Sequence, residues 1–79
     1  MTRTDSGIVK HSLVIAGHRT SVSLEAPFWD ALKAIAAGEE RSLAALVADI
    51  DAARGDANLS SALRVHVLNH MVAKAYDVQ

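Results

Sequence analysis

The sequence predicts an α+β fold: a β-hairpin followed by three helices, with a second copy of the chain completing the core. Three observations predict it. Residues 9–25 hold two β-rich runs around a glycine. Three later stretches repeat apolar residues at helical spacing. Finally, 51% of this 79-residue chain is hydrophobic, with one Trp, one Tyr and one Phe. A domain this short hides only about 60% of its unfolded surface, so much of that apolar content calls for a partner.

The hairpin comes first. Val9-Lys10-His11-Ser12-Leu13-Val14-Ile15-Ala16 is rich in β-branched residues, which pack well on a pleated surface. Gly17-His18 reads as a two-residue loop with glycine leading, the pattern of a type II′ turn. That turn sets Ala16 opposite Arg19, Val14 opposite Ser21, Leu13 opposite Val22, Ser12 opposite Ser23 and His11 opposite Leu24. Alternation then sorts the side chains onto two faces. Leu13, Ile15, Val22 and Leu24 share one with His11 and Thr20, and this face is core. Lys10, Ser12, Val14, Ala16, Arg19, Ser21 and Ser23 share the other, which is mostly polar, small and partly basic.

Pro27 suits a first helical turn, where its missing N–H costs nothing. Phe28, Leu32, Ile35 and Ala36 recur at helical spacing beside Trp29, predicting a helix over 27–37 that Gly38 stops. Ser42 has the chemistry of an N-cap. Leu43, Leu46, Val47 and Ile50 follow as an amphipathic stripe, predicting a second helix over 43–54 that ends at Arg54-Gly55. Asp56-Ala57-Asn58 is a polar connection with two candidate caps. A third helix over 59–75 carries the stripe Leu63, Val67, Leu68, Met71, Val72 and Ala75, and residues 76–79 are expected to fray. With no repeat, low-complexity tract or linker, residues 1–79 read as a single domain.

Composition narrows the function classes. Without cysteine there is no disulfide framework and no thiolate metal site, which fits a cytoplasmic protein. No apolar stretch approaches the roughly 20 residues that span a bilayer, and the polar N-terminus is not a signal peptide. Eight Lys and Arg against nine Asp and Glu give a net charge of −1, whereas a protein that binds phosphate is usually basic. The charges are segregated, however. Residues 1–19 hold Arg3, Lys10 and Arg19 against Asp5 alone, with His11 and His18, while most of the acid lies in the helices. No spacing pairs a nucleophile with a base and no glycine-rich phosphate loop exists, so neither an enzyme nor a cofactor is expected. His66 and His70 have a zinc-compatible i, i+4 spacing, but no third ligand is evident and no metal site is expected.

The strand–helix–helix segment resembles the ribbon-helix-helix (Arc/MetJ-type) family. Val22-Ser23-Leu24 carries the resemblance as a strand ending in an apolar residue before the Phe28–Leu32 helix. So do the Arg41-Ser42-Leu43 turn and the spacing between the two. The longer run from Ile15 to Glu25, with Phe28-Trp29 and Asn58-Leu59-Ser60-Ser61-Ala62-Leu63, is similar to a subgroup of small bacterial proteins built on this domain. The resemblance implies a homodimer or higher oligomer that regulates transcription by binding DNA sequence-specifically. Its paired strands would lie in the major groove and the second helix would hold a phosphate.

Carried over residue by residue, Arg19, Ser21 and Ser23 are the outward strand residues that would face base edges. Ser42 with the amides of Leu43 and Ala44 matches the phosphate clamp, since a helix N-terminus offers unpaired N–H groups. Lys10 would add non-specific attraction. Arg41 is placed either to touch a phosphate or to pair with Glu39 or Glu40.

The chain also departs from the family pattern. Glu25 repels a phosphate backbone. Ser21 and Ser23 are short readers, leaving Arg19 alone for a strong guanine contact. The added N-terminal strand, paired outside the ribbon, would broaden the dimer to four strands. The third helix needs cover, from the partner subunit or in a tetramer. These departures keep a second reading open, a protein-interaction module that does not bind DNA. An antitoxin is the weaker third, because the tail resembles a regular helix rather than a flexible one.

Overall fold

The computed structural model describes residues 7–77. Arg3 and Asp5 of the N-terminal charge count lie outside the described residues, as do residues 78 and 79 of the expected fray. The element order is β1 (Ile8–Ile15), β2 (His18–Glu25), α1 (Ala26–Gly38), α2 (Leu43–Ala53) and α3 (Leu59–Asp77). β1 and β2 form a two-stranded antiparallel sheet.

The turn differs from expectation. Ile15 pairs with His18, so the loop is Ala16-Gly17 and His18 opens β2. Both loop residues have positive φ, 52° and 82°, which makes a type I′ turn rather than type II′. Type I′ matches the right-handed twist of the strands, and glycine in second place meets its demand; Ala16 takes the left-handed first place at a cost of about 1–2 kcal/mol. Every pairing moves accordingly: Ser12 faces Ser21, Leu13 faces Thr20 and His11 faces Val22. Because the shift is two residues and side chains alternate with period two, both faces keep their expected membership apart from Ala16, which moves from the outward face into the loop. Ile15, Val22 and Leu24 are buried, and Lys10, Ser12, Val14, Arg19, Ser21 and Ser23 are exposed.

α1 holds Pro27 in its first turn. Its expected stop at Gly38 is also displaced. Gly38 is the last helical residue, Glu39 is the C-cap, and the left-handed position falls on Glu40 at φ 57°. The N–H of Arg41 donates to Ala36 O and that of Glu40 to Ala37 O, both at 3.0 Å, the hydrogen-bond pair of a Schellman motif. α2 starts where expected. Ser42 is extended, and its Oγ accepts from the Ala45 N–H at 3.0 Å. Asn58 caps α3, its Oδ1 accepting from the Ser61 N–H at 3.2 Å.

One chain builds a closed core, and that was not anticipated. One strand with two helices could not do so, but β1 and α3 supply the missing cover. Every element contributes: Ile15 from β1, Val22 and Leu24 from β2, Leu32, Ile35 and Ala36 from α1, Leu46, Val47 and Ile50 from α2, and Leu63 and Val67 from α3. Leu24, Leu32, Val47 and Leu63 are wholly enclosed. At roughly 1.5–3 kcal/mol for each fully buried aliphatic side chain, these residues are the main source of stability. His11 adds a satellite contact, stacking flat on Trp29 with ring centroids 3.9 Å apart, which fixes β1 over α1.

Candidate nucleic-acid interface

The solvent face of the hairpin is built by strand alternation. It carries Ile8, Lys10, Ser12 and Val14 from β1 and Arg19, Ser21, Ser23 and Glu25 from β2, as opposed pairs. Lys10 faces Ser23, Ser12 faces Ser21 and Val14 faces Arg19. Arg19 leans diagonally so that its Nη1 lies 3.5 Å from Ser12 Oγ, a weak donor contact that leaves most of the guanidinium in solvent. Lys10, Arg19, Ser21 and Ser23 therefore meet on one surface.

Glu25 would place a negative charge on this face, but its carboxylate is engaged. Arg64 of α3 grips it with two bonds, Nε to Oε1 at 2.9 Å and Nη2 to Oε2 at 3.1 Å. The bond from Arg64 holds the Glu25 carboxyl below its ordinary range, with a further contribution from its own backbone N–H. Glu25 is also the N-cap residue of α1, yet its side chain makes no cap because Arg64 has taken it. The Arg64 guanidinium lies 5.9 Å from the centroid of the Phe28 ring, which packs it between β2 and α1. With Glu25 compensated, Lys10 and Arg19 set the sign of the face. The repulsion expected from Glu25 is accordingly weak.

Ser23 has a second contact. Its carbonyl oxygen accepts a bond from Ser60 Oγ at 2.6 Å, which ties the start of α3 to β2. A two-residue turn closes on a hydrogen-bonded pair, so the ladder's alternation turns the peptide groups of Arg19, Ser21 and Ser23 away from β1. That is the open edge of β2, and α3 covers it at Ser23.

The second group lies at the start of α2, separated from the end of β2 by α1, which rises about 20 Å over its length. Ser42 caps the helix, while the amides of Leu43 and Ala44 precede the helical ladder and have no intrahelical acceptor. Both properties fit an anion site in principle. Arg41 is less free. It pairs with Asp49, lies 3.5 Å from Glu39 Oε1, and donates to Ala45 O at 3.0 Å. Asp49 chiefly, then Glu39, hold its pKa above the ordinary arginine value. Of the partners expected for Arg41 the structure supplies Glu39, and it adds Asp49, eight residues on and on the opposite side of the turn.

Sequence reasoning missed Arg64, Ser60 and Asp49. Arg64 and Ser60 reach residues 39 and 37 positions away, so no local pattern could reveal them. Among the described residues no group of three His, Asp or Glu could hold a metal, and His66 and His70 gain no third ligand.

A family model described as a ribbon-helix-helix domain matches residues 8–71, most of the chain. The chain belongs to the ribbon-helix-helix family. Members typically are DNA-binding regulators on a non-enzymatic fold, and they generally form dimers. No curated protein and no solved structure matches the chain. The match includes β1, both expected helices and most of α3, so the added strand and helix belong to this version of the ribbon-helix-helix domain.

Proposed function

We propose that this ribbon-helix-helix protein is a sequence-specific DNA-binding transcriptional regulator, acting in the cytoplasm as a homodimer or higher oligomer. It has no catalytic role. The observation that carries the reading is the outward hairpin face. Two paired strands present Lys10, Arg19, Ser21 and Ser23 in one plane, and the nearest carboxylate is bound to Arg64. Strands lie about 4.8 Å apart, so a two-stranded ribbon fits a major groove about 12 Å wide, whereas four strands abreast crowd it. The hairpin of one chain already has the right width.

In this reading Arg19 makes the discriminating contact, to a guanine, because serines accept almost any base edge. Lys10 attracts the backbone. Ser42 with the Leu43 and Ala44 amides positions a phosphate, and Arg41 serves mainly to hold α2 and its cap in place. Two copies would meet a palindromic or repeated site.

Fluorescence anisotropy on DNA from upstream of the protein's own gene tests this. Arg19→Glu is expected to abolish specific binding while the circular dichroism melt stays unchanged. Undiminished affinity would remove Arg19, and with it strand readout.

One observation favours the second reading, an interaction module that does not bind DNA. Val65, Leu68 and Val72 leave an apolar strip of α3 in solvent. The antitoxin reading loses support, because α3 is regular as far as Asp77.

A further inference from the structure

α3 is apolar on two opposite sides. Leu63 and Val67 enter the core, while Val65, Leu68 and Val72 are 54%, 59% and 44% exposed. At 100° per residue these three cluster about 180° around the helix from Leu63. With Ala75 they follow the 3-4-3 spacing of a helix–helix seam. A contiguous apolar strip of this kind on a helix is normally covered by a packed neighbour.

We infer that this outer face of α3 is an interface with α3 of a second copy of the chain. Shape argues for it. The ridge has an apolar groove on each side, and Val65 lines both. One groove, about 380 Å³, lies against Phe28, Val67 and Met71. The other, about 440 Å³, has Ile50, Ala53 and Ala62 on its floor and Arg54, His66 and Asn69 at its margin. A ridge beside a groove is a self-complementary surface, which is what a two-fold contact requires, and ridge-into-groove is how helices pack. Charge argues the same way. The ridge carries no ionised side chain, and the two arginines that line its grooves are already paired, Arg64 with Glu25 and Arg54 with Asp51. A charged peptide finds no unpaired arginine there.

Area is also sufficient. Met71 and Tyr76 flank the ridge, 45% and 73% exposed. Half-exposed side chains of this size leave on the order of 100 Å² each in solvent, so five give about 500 Å² per copy. A symmetric pair then buries on the order of 1,000 Å², the lower bound for a specific interface. The inference concerns how copies associate and does not rest on DNA binding.

Sedimentation equilibrium of the purified full chain tests it. Leu68→Glu is expected to halve the mass of the wild-type assembly, and Val72→Lys to do the same should Leu68→Glu fail to fold. Ala73→Glu, exposed on α3 but off the ridge, is expected to leave the mass unchanged. A monomeric wild type, or a mass unaffected by the folded ridge variants, would overturn the inference. So would a mass that is halved only by Ser21→Pro, which removes an N–H from the open edge of β2; association would then run through the strands.

Discussion

Leu63 is the residue through which α3 enters the core, and truncating it tests whether one chain closes its own interior. The side chain has no solvent exposure and belongs to a core cluster to which every other element contributes. Leu63→Ala removes three carbons, worth about 2.4 kcal/mol in transfer free energy. The cavity left behind raises the loss to about 3–4 kcal/mol. A chain of this length has a total stability of about 4–12 kcal/mol, so the variant forfeits a large share of it. Urea unfolding followed by circular dichroism, at one fixed protein concentration, gives the number. The midpoint should fall steeply while the slope, which reports exposed surface, stays constant. A loss below about 1 kcal/mol would mean that Leu63 is not enclosed and that α3 does not dock as described.

Other consequences follow from the same contacts. Ser42→Ala removes the hydroxyl that caps α2 and is expected to cost about 1 kcal/mol in the same urea assay; a neutral result would show that the Ala45 amide finds water instead. Ala16→Asn gives the Asn-Gly pair that a type I′ turn favours, and should raise the unfolding free energy in the same assay by about 0.5–1 kcal/mol. No gain would argue for the type II′ alternative. Glu25 has its folded-state pKa lowered by Arg64, so its stabilising contribution is complete above the ordinary carboxylate pKa and is lost as pH falls through the lower folded value. The stability gap between wild type and Glu25→Gln should therefore narrow as the pH falls below the ordinary carboxylate pKa. A gap independent of pH would remove the Glu25–Arg64 pair from the account.

Much of the fold was legible because it rests on periodicity. Period two sorted Leu13, Ile15, Val22 and Leu24 from Lys10, Arg19, Ser21 and Ser23 even though the register was misplaced by two residues. Ser42 and Pro27 were legible because capping and proline chemistry are local. The turn was not, since Gly17 serves either as the first residue of one turn type or as the second of another, both types suit the strand twist, and only the pairing of Ile15 with His18 separates them. Neither was the end of α1. Gly38 drew attention as the flexible residue, yet the left-handed position fell on Glu40, where the Schellman bonds from Arg41 and Glu40 place it.

α3 shows a different limit. Leu63, Val67, Leu68, Met71, Val72 and Ala75 read as one stripe, but they sweep about half the helix circumference. The structure divides them into an inner face and an outer ridge. The outward hairpin residues of the candidate site could be read from alternation. The charge balance of that face could not, because it depends on Arg64, 39 residues from Glu25.

The central claim is that the hairpin face binds DNA by sequence, and anisotropy across a salt series tests it most directly. The protein would be titrated onto DNA from upstream of its own gene and onto a scrambled duplex of equal length. The account predicts tighter binding to the first duplex by about 10³-fold or more, weakening linearly in log Kd against log salt. Equal affinity for the two duplexes, or no binding by a stably associated protein, would contradict it and leave the interaction module as the function of this fold.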